Sequence, residues 1–206
     1  HFVRRRQRQM CIRDRSVTRN EFGDLIGVST TYFNEENTFI SGIDFQFEHM
    51  MEISKGDLSI NIMGTSLTDF LTPSLNNPNI MINRIGKFNF DNHVHSLPKK
   101  RINSFINWSY KNFVLGFSTR YIDGYKNERE ITGLGLTYGY QNTVKSFLVH
   151  DISLKATKGN LSYSVYLSNL LDKSAPRLYD APDFSFDTRV HDPRGRILGL
   201  NIGYGF

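Results

Sequence analysis

Residues 194–206 read "RGRILGLNIGYGF", and from Leu198 onward two sets of side chains alternate. One set is Leu198, Leu200, Ile202, Tyr204 and Phe206. The other is Gly199, Asn201, Gly203 and Gly205. Successive side chains of a strand point to opposite faces, so an extended ribbon here has one oily side and one small, polar side. A helix would scatter the five apolar residues around its circumference, and each of its three glycines would cost roughly 1 kcal/mol relative to alanine. The stretch predicts a β-strand. What its oily side faces, a dry core or lipid, decides the function.

The same period recurs upstream. Ile43, Phe45 and Phe47 oppose Asp44, Gln46 and Glu48; Leu58, Ile60 and Ile62 oppose Ser59 and Asn61. Phe113, Leu115, Phe117 and Tyr121 oppose Gly116, Ser118 and Arg120; Leu161, Tyr163, Val165 and Leu167 oppose Ser162, Ser164 and Ser168. Two segments are less regular. "RINSFINWSY" sets Phe105 opposite Ile102, Ile106, Trp108 and Tyr110. In "SFLVHDISLK", Phe147 and Val149 fall opposite to Ile152 and Leu154, a change of parity that a β-bulge would explain.

Seven strands are expected, over roughly 28–52, 57–70, 100–110, 113–123, 144–156, 161–171 and 196–206. "SKG", "KN" and "TKGN" make tight turns. The intervening stretches, roughly 71–99, 124–143 and 172–195, are long and rich in Asn, Asp, Pro and Gly. Antiparallel neighbours then collect the short turns at one end and the long loops at the other.

This pattern favours lipid over a soluble core. Short turns at one end and long loops at the other are the habit of outer-membrane barrels. The face opposite the oily one carries Asp44, Glu48, Arg120 and Asp151, which suits a wet or filled lumen. Trp108, Tyr110, Phe113, Tyr204 and Phe206 gather at the short-turn end, where an interfacial girdle would sit. Nine residues tilted at about 45° cross an apolar band of about 25 Å. The chain of 206 residues holds no apolar run of eighteen, so no transmembrane helix is expected.

The formal charge of +5 is local. Residues 1–15 hold six arginines and one aspartate, and the remainder balances 19 basic against 19 acidic residues. A basic arm can hold nucleic acid or anionic lipid. Here "RRRQRQMCIRDR" resembles a translated sequencing adaptor, so residues 1–15 are expected to be non-native and no nucleic-acid partner is expected. They lack the apolar middle of a signal peptide. They also contain Cys11, the only cysteine, which leaves residues 16–206 without a disulfide or a thiolate metal site.

Several runs together resemble TonB-dependent outer-membrane receptors over about residues 28–206. The alternating final strand ending in Phe206, with Tyr204 two before it, resembles the signal read by the barrel-assembly machinery. "LSYSVYLSNLLDKSAPRLY" is similar to the penultimate strand and its N-L-x-D-K-x-x-P run, here Asn169, Leu170, Asp172, Lys173 and Pro176. "VKSFLVHDISLKA", with Asp151, resembles the strand before it. "LPKKRINSFINWSYKNFVLGFSTRYIDGY" resembles the family's lower-turn hairpin, and "FISGIDFQFEH" its strand with Gly42, Ile43 and Asp44.

The resemblance implies an all-β fold, seven antiparallel strands of a 22-stranded transmembrane barrel with a plugged lumen. It implies the outer membrane of a Gram-negative bacterium, uptake of a ferric siderophore or a similar scarce bulky nutrient, and energy through TonB. Expected partners are the TonB complex, through a plug, the barrel-assembly machinery, outer-membrane lipid and the ferric chelate. No catalysis, cofactor or resident metal is expected. Plug, TonB-contacting segment and most strands are absent from the sequence, so residues 16–206 are expected to be the carboxyl-terminal portion of a longer receptor. The rival is a small self-contained barrel, an adhesin or passive pore, in which 16–27 would form an eighth strand beside 196–206. A soluble β enzyme or a nucleic-acid binder using the arm stands third.

Candidate site residues are few. His93 and His95 lie in a long loop and could touch a metal chelate, though two imidazoles alone make a weak metal site. Lys99, Lys100 and Arg101 form a basic rim that could attract an anionic chelate or anchor lipid headgroups. His150–Asp151 and His191–Asp192 are neighbours whose side chains diverge, so neither is a catalytic pair. "GLGLTYG" at 133–139 has the wrong glycine spacing for a dinucleotide loop, and no serine sits in a nucleophile elbow. Glu35 and Glu36 lie in a polar loop and read as solvated.

Overall fold

The computed structural model describes residues 15–30, 38–74, 77, 79–88, 96–181 and 184–205. It falls into two units, His1–Glu36 and Asn37–Phe206. In the first, β1 (Arg15–Arg19) pairs antiparallel with β2 (Leu25–Thr30) in a two-stranded sheet of its own. The side chain of Asn20 closes that hairpin by accepting the N–H groups of Phe22 at 3.0 Å and Asp24 at 2.8 Å.

The second unit is a wall of seven long strands. They are β3 (Phe39–Ile53), β4 (Gly56–Pro73), β7 (Lys100–Tyr110), β8 (Phe113–Ile122), β11 (Phe147–Lys158), β12 (Leu161–Ser168) and β13 (Ile197–Tyr204). Each pairs antiparallel with its neighbour in the order β13-β12-β11-β8-β7-β4-β3. The short pieces are β5 (Met81–Asn83), which extends the end of β4, and β6 (Lys87–Phe88), β9 (Tyr125–Asn127) and β10 (Thr143–Val144), which form a separate three-stranded sheet among the loops. A single helical turn, Leu134–Thr137, completes the described elements.

The tight turns fall where expected. Residues 54–55, 111–112 and 159–160 link β3 to β4, β7 to β8 and β11 to β12. Left-handed backbone makes the reversals: Gly56 has φ 99°, Lys111 φ 52° and Gly159 φ 57°. A Cβ at Gly56 would also stand 2.0 Å from the carbonyl oxygen of Ser109, so glycine is required there twice over.

Three expectations need correction. The first strand, expected over 28–52, is broken: its first residues belong to β2, and the wall strand begins only at Phe39. The parity change in "SFLVHDISLK" involves no bulge, because the β11–β8 register runs unbroken from Phe147 opposite Ile122 to Ala156 opposite Phe113. Phe147 and Val149 simply lie on the same face as Asp151. A real shift occurs instead between Ser41 and Gly42. Finally, residues 16–27, expected in the rival small barrel to be a single eighth strand, fall in a hairpin in which β1 pairs with β2.

One face of the wall is oily and uncovered. Leu198 is 72% exposed, Leu200 67% and Ile202 60%. Ile43, Phe47, Phe113, Leu154 and Val165, which share that face by register, are exposed too. A soluble protein rarely leaves so extensive an apolar surface bare. The opposite face is mostly small or polar. Gly199 lies on it, and a Cβ there would stand 2.0 Å from the ring of Tyr166 on the neighbouring strand.

The buried apolar residues lie elsewhere. Phe88, Tyr125, Val144 and Leu178, supplied by three different long connections, form a small core with Ala181 against it. Phe147 and Val149, also buried, stand on the polar face of the wall at its long-loop end. The loops therefore fold over that face, which is the inner one.

Candidate functional site

The inner face of β8, β11 and β12 carries a network of charge and hydroxyl groups. Arg120 pairs with Asp151 at 3.4 Å, and Ser118 donates to the same carboxylate at 3.3 Å. The other oxygen of Asp151 accepts the backbone N–H of Asn169 at 2.7 Å. Phe105, Ser118, Arg120, Tyr166, Ser168 and Arg194 are among the residues lining a half-open cleft of about 430 Å³ there. Phe105, the residue that breaks the outward pattern of its strand, is thus an inner-face residue beneath the cleft.

Asn169 is the joint of this region. It is buried, with φ 51°, a conformation asparagine tolerates better than most residues. Its side-chain amide donates to the carbonyls of Lys173 at 2.9 Å and Arg194 at 3.2 Å, and its side-chain oxygen accepts the N–H of Lys173 at 2.7 Å. Asp172, with φ 52°, accepts the N–H of Arg196 at 2.9 Å just before β13. The Asn-Leu-x-Asp-Lys run therefore fastens the end of β12 to β11 and to the approach of β13. Asn169 and Asp172 here hold chain to chain.

Above the inner face, His191 is buried between two rings. It stacks on Tyr125 at 5.9 Å and meets the edge of Phe147 at 5.3 Å, and its Nε2 lies 3.3 Å from the Tyr125 hydroxyl. Burial pulls its pKa down to about 4, and the Arg101 guanidinium works in the same direction, against the Asp187 carboxylate. Asp187 accepts both the N–H, at 3.0 Å, and the hydroxyl of Ser96. Arg129 lies 4.8 Å over the ring of Phe88 and pairs with Asp180. At the cleft, Asp192 is held at about 2 chiefly by the Arg194 side chain, which grips it at 2.7 Å.

The expected site residues are placed as follows. His93, His95 and Phe206 lie outside the described residues, as do Glu35 and Glu36. Tyr204 ends β13 on the outward face, opposite Leu161. Trp108, Tyr110 and Phe113 join it at the short-turn end, with Trp108 donating to the Lys55 carbonyl at 2.8 Å and stacked on Tyr110 at 5.9 Å. Lys99, Lys100 and Arg101 are exposed at the other end. Arg101 registers opposite Thr65 on the inner face, and Lys100 opposite Ser66 on the outer one. His150 and Asp151 diverge: His150 stacks outward on Phe117 at 5.5 Å while Asp151 turns inward.

Sequence reasoning missed Tyr125, Arg129, Asp187 and the role of His191. The one signal available was apolar residues on the wrong parity, Phe147 and Val149, which marked a covered patch of the inner face. Among the described residues no three His, Cys, Asp or Glu side chains gather as a metal site, and no helix is long and apolar enough to cross a membrane.

No family model matches the sequence, and no curated protein matches it. Solved structures do. The siderophore receptor PirA of Acinetobacter baumannii superposes with a TM-score of 0.56 at 17% identity, over 93% of this chain and 26% of that one. A mutant of the ferric enterobactin receptor PfeA of Pseudomonas aeruginosa superposes with a TM-score of 0.50 at 14% identity, over 82% of this chain and 22% of that one. The chain thus spans about a quarter of the length of either receptor. With its antiparallel wall and its one-sided loops, it has the fold of a stretch of siderophore-receptor β-barrel.

Proposed function

We propose that the chain supplies part of the wall, inner lining and external loops of an outer-membrane receptor that takes up a ferric siderophore or a similar scarce, bulky nutrient, energised through TonB. The supporting observation is the division between the two faces. The outward apolar side chains of the seven strands are bare or only half-buried, while the apolar residues that are fully buried lie in and under the loops. Lipid is the medium that makes such a wall stable.

The wall is one segment of a closed barrel in this reading. The outer edges of β3 and β13 have no described strand beside them, and unpaired backbone in lipid costs several kcal/mol per group. Flanking strands of a longer receptor would satisfy those edges. Tyr204 and Phe206 then serve barrel assembly. Arg101, on the inner side of the rim, attracts an anionic chelate together with His93 and His95, and Lys99 and Lys100 meet the headgroup layer. The exposed Leu134, Leu136 and Tyr138 give the loops an apolar tip suited to the organic part of a chelate.

The test is made on the full-length protein. Membrane fractionation is expected to place it in the outer membrane, and its deletion to abolish growth on one ferric chelate as sole iron source. Restoration must require an intact TonB. Recovery of the protein in the soluble fraction would defeat the proposal at its first step.

A further inference from the structure

The connection from β12 to β13 carries a tight turn at residues 187–191. The N–H groups of Val190 and His191 return to the Asp187 carbonyl at 3.2 and 3.0 Å, and that of Arg189 to the Asp187 carboxylate at 3.0 Å. Two side chains fasten this turn to the rest of the molecule, and both are 3% exposed. Asp187 takes the N–H and the hydroxyl of Ser96, which precedes β7. His191 fills a slot between Tyr125 of β9 and Phe147 on the inner face of β11. Asp192, Arg194 and Gly195 follow at once and line the cleft beside Arg120 and Asp151. The turn therefore anchors the segment that walls the cleft.

The slot suits His191 as a neutral ring and not as a cation. An imidazolium has two N–H donors and needs an acceptor for each. Its Nε2 lies 3.3 Å from the Tyr125 hydroxyl, but its Nδ1 is buried with no hydrogen-bond partner among the described residues. A neutral ring leaves Nδ1 as a bare acceptor at modest cost. A charged ring buries an unmatched N–H together with a full charge, which costs far more.

The groups that face the ring do not supply the missing acceptor. The Arg101 guanidinium, from β7, repels a second cation. The Asp187 carboxylate attracts one, but it is already engaged by the Ser96 N–H and hydroxyl and by the Arg189 N–H. The Tyr125 phenol stays neutral, since burial holds its pKa above the ordinary range, and Phe147 carries no charge. Asp192, next along the chain, is paired with Arg194. Once the turn opens, water solvates the ring and the proton is accepted freely.

We propose that the turn at 187–191 is an acid-released latch. Proton uptake by His191 expels its ring from between Tyr125 and Phe147. The segment that follows then lifts from the inner face, uncovering Val149 and opening the cleft at Arg120 and Asp151. The inference concerns the loops alone and rests neither on a chelate nor on TonB.

The experiment labels Val149→Cys in the full-length protein with N-ethylmaleimide and follows residue 149 alone by peptide mass spectrometry. Val149 is buried on the inner face of β11, two residues from Phe147, and cysteine is close to valine in volume. Dividing its labelling rate by that of the urea-unfolded protein at the same pH cancels the thiolate fraction and leaves the open population. This ratio is expected to rise about twentyfold from pH 7 to pH 5, as follows for a proton held at a pKa of about 4 when closed and 6.5 when open. His191→Phe, which fills the slot with a ring that takes no proton, is expected to keep the slow ratio at both pH values. The Ser96 amide, read by hydrogen exchange in protein without the cysteine, supplies an independent measure: its protection factor should fall by the same factor. An unchanged ratio in the protein with His191 overturns the latch, as does a rise that persists in His191→Phe. Fast labelling of His191→Phe at both pH values also overturns it, because fit and not charge would then hold the turn.

Discussion

The wall and the loop cluster solve opposite problems with the same kind of residue. In the loops, Phe88 and Leu178 are at most 1% exposed, and aromatic rings from separate connections close over one another. In the wall, leucines and phenylalanines stand in rows with nothing over them. The loops carry their own dry interior and need water outside it. The wall has no interior on its oily side and needs a nonaqueous medium there. Burial in this chain therefore does not mark where its apolar residues are most numerous; it marks where water is expected to reach. Substitutions should reveal the difference, because a change in the loops acts through packing and a change in the wall acts through solvent.

The largest effect is expected from Phe88→Ala. Truncating a fully buried phenylalanine costs about 3–5 kcal/mol through lost burial and the cavity left behind. The cost should stay local. Amide exchange in the full-length protein is expected to accelerate around β6, β9 and β10, while the wall strands keep their protection. Equal loss of protection in β12 and β13 would show that the two regions are not energetically distinct.

Next comes Leu200→Arg. In a bilayer a cation on the outward face near midplane costs about 2–4 kcal/mol. In water the same change at a side chain already 67% exposed would cost almost nothing, because surface substitutions stay within about 0.5 kcal/mol. Refolding the full-length protein into vesicles and measuring its denaturant midpoint distinguishes the two. Asn201→Arg, one residue along and on the inner face, is the matched control and should be far milder. If Leu200→Arg and Asn201→Arg proved equally mild, lipid would not be what the oily face meets.

Much of the wall was legible because its information is local. A period of two needs only a few consecutive residues, so Leu198 to Tyr204 announce their strand without reference to the rest of the chain. The turns were legible for the same reason: "SKG" and "TKGN" carry their own backbone preferences. The loop core was not, because its contacts are distant in sequence. Ser96 and Asp187 meet across 91 residues, and Tyr125 and His191 across 66. Phe147 and Val149 show the boundary between the two cases. Their parity was visible, but what covers that face comes from the far side of the sequence, so a bulge stood in for a packing contact. The Asn169 run was recognisable as a motif, while its work, joining β12, β11 and the approach to β13, depends on a left-handed backbone that composition does not display.

The loop core should also respond to acid. His191 is buried with its pKa drawn down to about 4, from about 6.5 when unfolded. Between those values the unfolded state binds more protons than the folded one. Its contribution is therefore fully present above about pH 6.5 and is lost as pH falls toward 4, by about 2 kcal/mol between pH 7 and pH 5. Asp187, Arg101 and Tyr125 surround it, and Asp192 titrates in a separate, lower window between its ordinary range and about 2. Lower protection factors for the loop amides at pH 5 than at pH 7, after correction for the intrinsic exchange rate at each pH, are the expected result, and His191→Gln should abolish the difference. A pH response that survives His191→Gln would assign it to another group.

The smallest effect is expected at Arg120, and its size measures what fills the lumen. The Arg120 side chain is 44% exposed, and its pair with Asp151 spans 3.4 Å. A pair this open to water contributes about 0.2–1 kcal/mol, so Arg120→Gln should shift the stability of the protein by no more than that. Asp151→Ala should cost more, because the same carboxylate also holds the Asn169 N–H and with it the crossing toward β13. Salt separates the two contributions: raising ionic strength should erase the small effect of Arg120→Gln and leave most of that of Asp151→Ala. A cost above about 2 kcal/mol for Arg120→Gln, insensitive to salt, would mean that the pair is desolvated in the intact molecule. The inner face would then lie against protein, as a plugged lumen requires, and not against water.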